Sequence, residues 1–353
     1  MNVTDIRVER VGQPRQPPDD LASVPFSTVK SDHMLVAEYR DGEWRQASIQ
    51  PYGPLALSPS ISALQYGISV FEGLKAHRLP DDAVALFRPH SNIRRMQRSA
   101  ERLSMPPVPE ALFLDGLREL VRIDQAWVPR HGQGALYIRP CQFSVDESVR
   151  VKPAERYLFV AFTFPYGAYY SAPVDVLVTE RYVRAFAGGT GDVKPSGNYA
   201  PTLVAERQAQ DVGCQTVLWL DGANRRYVEE CGVMNVFFVV EQDVITPSLD
   251  GTILPGVTRD CVIALLREKG LSVHERRIPI DEIVLAVERG TLRECFGTGT
   301  AATLSPVRRI RYRDRVLALP PVEGHSVGPE VRRRLIAIAT GQIPDLYGWL
   351  ERI

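Results

Sequence analysis

Lys194 sits in the run Gly188-Gly189-Thr190-Gly191-Asp192-Val193-Lys194-Pro195-Ser196-Gly197-Asn198-Tyr199. The chain carries most of its positive charge on arginine and has only Lys30, Lys75, Lys152, Lys194 and Lys269 as lysines. A guanidinium keeps its proton and forms no imine, whereas a lysine amine can. One lysine inside a glycine-rich loop therefore suggests Schiff-base chemistry. The same loop also suits a lysine that contacts a phosphate or water.

Imine chemistry with pyridoxal phosphate needs a small set of groups. A carboxylate beside the ring nitrogen keeps it protonated, so that the ring accepts electrons from Cα. Backbone donors at a helix N-terminus suit the phosphate. A hydroxyl near the ring oxygen tunes the imine. The sequence offers a candidate for each. Tyr199 follows Lys194 closely. Glu229 and Glu230 precede the turn Cys231-Gly232-Val233-Met234, where they read either as a buried ring partner or as two solvated acids. Gly256-Val257-Thr258 opens a helix with unpaired N–H groups. Gly297-Thr298-Gly299-Thr300 adds donors and hydroxyls, but lacks the third glycine of a dinucleotide fingerprint.

The elements around these groups follow from local pattern. Residues 35–39 and 84–87 read as strands. Ser91 or Asn92 caps a helix running to Leu103, whose stripe is Ile93, Met96, Ala100 and Leu103. Arg95 lies at the border of that stripe, where periodicity favours a solvated side chain. A second helix covers about 109–123. In 135–139, Leu136 and Ile138 share one face while Tyr137 and Arg139 share the other. That second face suits a carboxylate or plain solvent equally. After an aromatic link over 165–173, residues 174–179, 216–220, 226–229, 235–240 and 244–248 read as strands. Helices follow Pro201, Pro255 and Pro329. The fold class is α+β.

With 353 residues, two domains are expected: an N-terminal flexible arm over 1–30, a small α/β domain over 31–164, a link over 165–173 and a large domain over 174–353. Net charge is zero, which gives no reason to expect nucleic acid or an anionic membrane as partner. Five scattered cysteines and six scattered histidines suggest neither a disulfide framework nor a metal site. The N-terminus lacks an apolar core segment, and no stretch is apolar enough to span a bilayer, so a cytoplasmic location is expected.

Taken in order, these segments resemble the branched-chain amino acid aminotransferases of the class IV, fold-type IV pyridoxal phosphate enzymes. The resemblance runs through Tyr66-Gly67-Ile68-Ser69-Val70-Phe71-Glu72-Gly73, Leu86-Phe87-Arg88-Pro89, Asn92-Ile93-Arg94-Arg95-Met96 and Leu136-Tyr137-Ile138-Arg139-Pro140. It continues through the Lys194 loop, Val217-Leu218-Trp219-Leu220, Glu230-Cys231-Gly232-Val233-Met234-Asn235, Thr252-Ile253-Leu254-Pro255-Gly256 and residues 296–301.

The resemblance implies two domains with mixed sheets, flanking helices and an active site between the domains. It makes Lys194 the Schiff-base lysine, Glu230 rather than Glu229 the ring-nitrogen acid, and Tyr199 the ring-oxygen partner. It assigns the phosphate to Arg95, Val257, Thr258 and Thr300. It assigns the substrate pocket to Phe71, Tyr137, Arg139 and Tyr169, with backbone donors near Val233 and Ala301. Tyr66 matches a pocket residue supplied by the neighbouring subunit, which implies a homodimer.

The implied reaction moves the amino group of L-leucine, L-isoleucine or L-valine to 2-oxoglutarate, with Lys194 shuttling the Cα proton. Some relatives carry a redox-sensitive Cys-x-x-Cys after the last glycine loop. Ala302 and Ser305 stand there, so no such switch is expected. The rivals are a D-amino acid aminotransferase or an aminodeoxychorismate lyase on the same scaffold, and a non-catalytic binding protein.

Overall fold

A computed structural model describes residues 5–167, 169–170 and 172–353. Ala168 and Ser171 of the expected link lie outside the described residues. The chain forms two compact units. One comprises Met1–Tyr169, Lys194–Gly197 and Ala337–Ile353, and the other Tyr170–Val193 and Asn198–Ile336.

The first unit is built on a ten-stranded sheet. Its path runs Arg7–Val8, Ser48–Pro51, His33–Arg40, Tyr157–Tyr166, Ala135–Ser144, Leu74–Arg78, Val84–Phe87 and Leu350–Arg352, with Ser69–Phe71 paired to Ala135–Ser144. The helices Pro89–Arg102 and Glu110–Ile123 pack into the same core as one sheet face, burying Ile93, Met96, Phe113 and Leu117 with Leu35, Leu136 and Ile138. Strand alternation therefore places Tyr137 and Arg139 on the face opposite to Leu136 and Ile138.

Three sequence expectations change here. The segment expected to be a flexible arm is tied down: Arg7–Val8 pairs with Ser48–Pro51, and Arg15 Nε donates to Asp32 at 2.8 Å. The helix starts at Pro89 rather than after Ser91 or Asn92, since proline suits the first helical position. The Asn92 side chain donates instead to Glu72. The chain's last residues were expected in the large domain, but Leu350–Arg352 pairs with Val84–Phe87 in the first unit.

The second unit holds a nine-stranded sheet. Val228–Cys231, Thr216–Leu220, Val174–Thr179, Thr303–Tyr312, Leu292–Gly299 and Met234–Val240 pair in turn, and the last pairs back with the first to close a ring. The ring encloses a core containing Val176, Leu218, Met234, Val236, Phe238 and Ile310. The strand expected over 226–229 begins at Val228. The Asp221 carboxylate accepts the N–H groups of Arg226 and Tyr227 at 2.8 and 2.7 Å, which holds those residues in the preceding turn. The helix expected from Pro201 begins at Leu203 after a short turn over Ala200–Thr202.

Candidate active site

In the first unit, the Lys194 backbone is clamped on both sides. Its N–H donates to Ser99 Oγ at 3.0 Å, and its carbonyl accepts from Phe71 N–H at 3.1 Å. The Ser99 hydroxyl donates in turn to the Arg95 carbonyl at 2.8 Å. The Lys194 amine lies 4.7 Å from the centre of the Phe71 ring. A loop lysine is thus fixed against a strand and a helix.

Arg95 is buried, not solvated as its place on the stripe suggests. Its Nε and Nη2 donate to the two oxygens of Glu72 at 2.7 and 2.8 Å. Asn92 Nδ2 adds a bond to Glu72 Oε2 at 2.8 Å. Burial would raise the Glu72 pKa, but the Arg95 guanidinium, the positive charge of Lys194 and Asn92 outweigh it and hold the carboxyl below its usual range.

Tyr137 and Arg139 lie on an interior strand, between Leu74–Arg78 and Tyr157–Tyr166, so the solvated-edge reading does not apply. Tyr137 is only 5% exposed. Its hydroxyl reaches past Gly73, where a Cβ would sit 1.9 Å from that oxygen. Arg139 Nη2 donates to Tyr137 Oη at 3.3 Å, and its guanidinium lies 4.8 Å from the Phe71 ring centre. Its Nε is buried without a partner. A buried guanidinium donor lacking an acceptor suits an oxyanion.

Phe26 joins the same group, with its ring 5.1 Å from each of the Tyr137 and Tyr169 rings. Sequence pattern gives no sign of this role, because Phe26 lies in the segment expected to be a flexible arm. Tyr66 is placed differently: it is half exposed and donates through its hydroxyl to the Val149 carbonyl.

In the second unit, Glu229 and Glu230 are both buried, so the reading as two solvated acids fails. Glu230 Oε2 lies 2.8 Å from Arg184 Nε. Glu230 Oε1 accepts from Leu254 N–H at 3.0 Å and from Asn235 Nδ2 at 3.3 Å. Asn235 also donates to the Leu254 carbonyl at 2.9 Å. A Cβ on Gly256 would sit 2.0 Å from Asn235 Oδ1, so glycine lets the start of the helix Val257–Glu268 approach the Glu230 neighbourhood. No side chain caps that helix, and Thr258 is buried in its first turn.

Val233 occupies the turn between Val228–Cys231 and Met234–Val240, with its carbonyl 3.9 Å from where a Cβ on Gly299 would lie. Thr300 and Ala301 follow Gly299 in the turn to Thr303–Tyr312. Tyr199 is half-buried and opens the turn Ala200–Thr202. The second unit thus brings Glu230, Asn235 and the Gly256–Thr258 helix start together. It likewise brings the Val233 turn close to the Gly299–Ala301 turn.

The family model described as Amino-transferase class IV matches residues 69–310. The chain belongs to the class IV aminotransferases. This aminotransferase is 42% identical over 339 residues to branched-chain-amino-acid transaminase 1 of Bacillus subtilis, covering 95% of each chain. It is 41% identical to a branched-chain-amino-acid aminotransferase of Mycobacterium tuberculosis, covering 93% of this chain and 92% of that one. Among solved structures, a T.th. branched-chain amino acid aminotransferase with pyridoxamine 5'-phosphate superposes with a TM-score of 0.72 at 26% identity, covering 89% of this chain and 97% of that one. The expected two-domain, fold-type IV α+β architecture holds.

Proposed function

We propose that this aminotransferase moves the amino group of L-leucine, L-isoleucine or L-valine to 2-oxoglutarate, and catalyses the reverse, with pyridoxal 5'-phosphate as cofactor. The observation that carries the substrate reading is the Phe71–Tyr137–Arg139 group, apolar and aromatic with one buried guanidinium donor lacking an acceptor. The names of the relatives support the same choice.

The residues present fit the cofactor. In the first unit, Lys194, held by Ser99, would carry it, and Arg95, held by Glu72, would serve its phosphate. In the second, the buried Glu230 carboxylate would hold a proton at the ring nitrogen. Val257 and Thr258 at the uncapped helix start, with Thr300, would complete the phosphate donors. Tyr199 would meet the ring oxygen. When bound, the cofactor supplies an electron sink for charge developing at the substrate Cα.

The chain's own work is then proton movement and orientation. Lys194 Nζ takes the Cα proton and returns it, as base and then acid. Phe71, Tyr137 and Tyr169 receive a branched side chain, while Arg139 receives the second carboxylate of glutamate or 2-oxoglutarate. Backbone N–H groups near Val233 and Ala301 orient the substrate carboxylate.

The same reading includes a homodimer located in the cytoplasm. Tyr66 stands beside Val149, and both are exposed, as are Leu64 and Val151, which suits a surface given to a second copy. Among the described residues no helix is long and apolar enough to cross a membrane, and no cluster could hold a metal ion. Side-by-side assays with L-leucine, D-alanine and aminodeoxychorismate test the assignment. Turnover confined to L-leucine supports it, and turnover of either alternative in its place overturns it.

A further inference from the structure

Glu229 and Glu230 are consecutive on one strand, so their side chains leave it in opposite directions. Both are nevertheless buried and belong to one network in the second unit. Thr252 Oγ1 donates to Glu229 Oε1 at 2.6 Å, while Glu229 Oε2 is buried without a partner. Two residues on, Leu254 N–H donates to Glu230. Arg184 closes the arrangement: it pairs with Glu230 and donates through Nη2 to the carbonyls of Gly191 and Thr252. The Thr252–Leu254 segment thus serves both carboxyls, and Arg184 binds that segment as well as Glu230.

A cavity of about 200 Å³ borders Glu229, lined also by Asp221, Asn224, Tyr227, Asp250 and Arg277. The acids around it are committed elsewhere. Asp221 accepts the N–H groups of Asn224, Arg226 and Tyr227, and Asp250 accepts from Arg277 Nε at 3.1 Å. Glu229 is therefore the buried carboxyl at this cavity with an oxygen left over.

We propose that Glu229 is a positioning residue for Glu230, acting through the Thr252–Leu254 segment that bonds to both acids and through the Arg184 guanidinium that holds that segment and Glu230. The inference rests on the reading of Glu230 as the ring-nitrogen acid. Burial pushes the Glu229 pKa up to about 7, with Thr252 and Arg184 opposing and Glu230 and Asp221 adding to the rise. While Glu229 is uncharged, Arg184 serves Glu230. Once Glu229 ionises, its charge draws on the Arg184 guanidinium and on the Thr252–Leu254 segment, and loosens Glu230.

The test is reconstitution of apoenzyme with pyridoxal 5'-phosphate, followed by absorbance, at pH values on both sides of 7. Wild type should lose about fivefold in cofactor affinity relative to Glu229→Gln as the pH rises, a modest coupling between neighbouring sites. Glu229→Gln stays uncharged and should show only the cofactor's own titration. Glu229→Asp, which restores an ionisable group, should restore the loss. Parallel curves for wild type and Glu229→Gln overturn the proposal. Should Glu229→Gln fail to fold, Thr252→Val replaces it. Loss of the hydroxyl donor should move the wild-type midpoint upward, and an unmoved midpoint overturns the proposal. Glu230→Gln in the same series separates the two readings. If it behaves as wild type, the role of Glu230 fails. If it is impaired while Glu229→Gln tracks wild type, only the role of Glu229 fails.

Discussion

Replacing Glu72 by Gln should both destabilise the first unit and weaken cofactor binding. Glu72 takes two bonds from Arg95 at 2.7 and 2.8 Å and a third from Asn92 at 2.8 Å, all shielded from solvent. Glutamine keeps the shape but removes the charge, which leaves the Arg95 guanidinium buried beside a neutral amide. Removing one partner of a buried ion pair costs about 3 kcal/mol or more. For a unit of roughly 190 residues, that lowers the thermal midpoint by about 6–12 °C.

The pH dependence has a definite sign. The folded-state pKa of Glu72 lies below its ordinary value of 4.5, so its stabilisation is present above that value and fades as the pH falls through the folded-state pKa. The gap between wild type and Glu72→Gln should therefore narrow in acid. Scanning fluorimetry of both apoenzymes from neutral to acid pH reads the gap, and pyridoxal 5'-phosphate titration reads the affinity. An unchanged midpoint and unchanged affinity in Glu72→Gln would refute the claim that this carboxylate holds Arg95 in place.

Three further substitutions test the pocket and the helix start. Arg139→Ala should reduce kcat/KM for glutamate at least about tenfold more than for leucine, because only glutamate brings a second carboxylate to the guanidinium. Equal losses would remove Arg139 from that role. Phe26→Ala deletes ring contacts with Tyr137 and Tyr169 and should raise KM for leucine by about tenfold, with a smaller effect on kcat. An unchanged KM would place Phe26 outside the pocket. Gly256→Ala forces a Cβ to within 2.0 Å of Asn235 Oδ1. The overpacking should cost about 1–3 kcal/mol and appear as weaker cofactor binding. Wild-type affinity in that variant would show that the helix start does not set the phosphate donors.

Local pattern reveals the elements that hold the site, while long-range partners decide what pattern misses. The strands over 84–87 and 216–220 follow their apolar runs and match the observed bounds. The helix Ile280–Glu288 is absent from the sequence reading, although Asp281 and Glu282 in its first turn are a start signal. Arg95 looks solvated from its sequence because its partner, Glu72, lies just past the strand Ser69–Phe71, where helix periodicity does not reach. Glu230 stands out through an ordered series of motifs, whereas Arg184, which sits beside it, carries no local mark. Phe26 escapes notice because proline-rich composition suggests freedom, while strand pairing and ring contacts tie the segment down.

The central claim is that Lys194 carries the cofactor covalently. Borohydride reduction of the folded holoenzyme, proteolysis and mass analysis of the peptides test it directly. The pyridoxyl phosphate adduct should appear on the peptide holding Lys194. An unmodified Lys194, or an adduct confined to Lys30, Lys75, Lys152 or Lys269, would contradict the account.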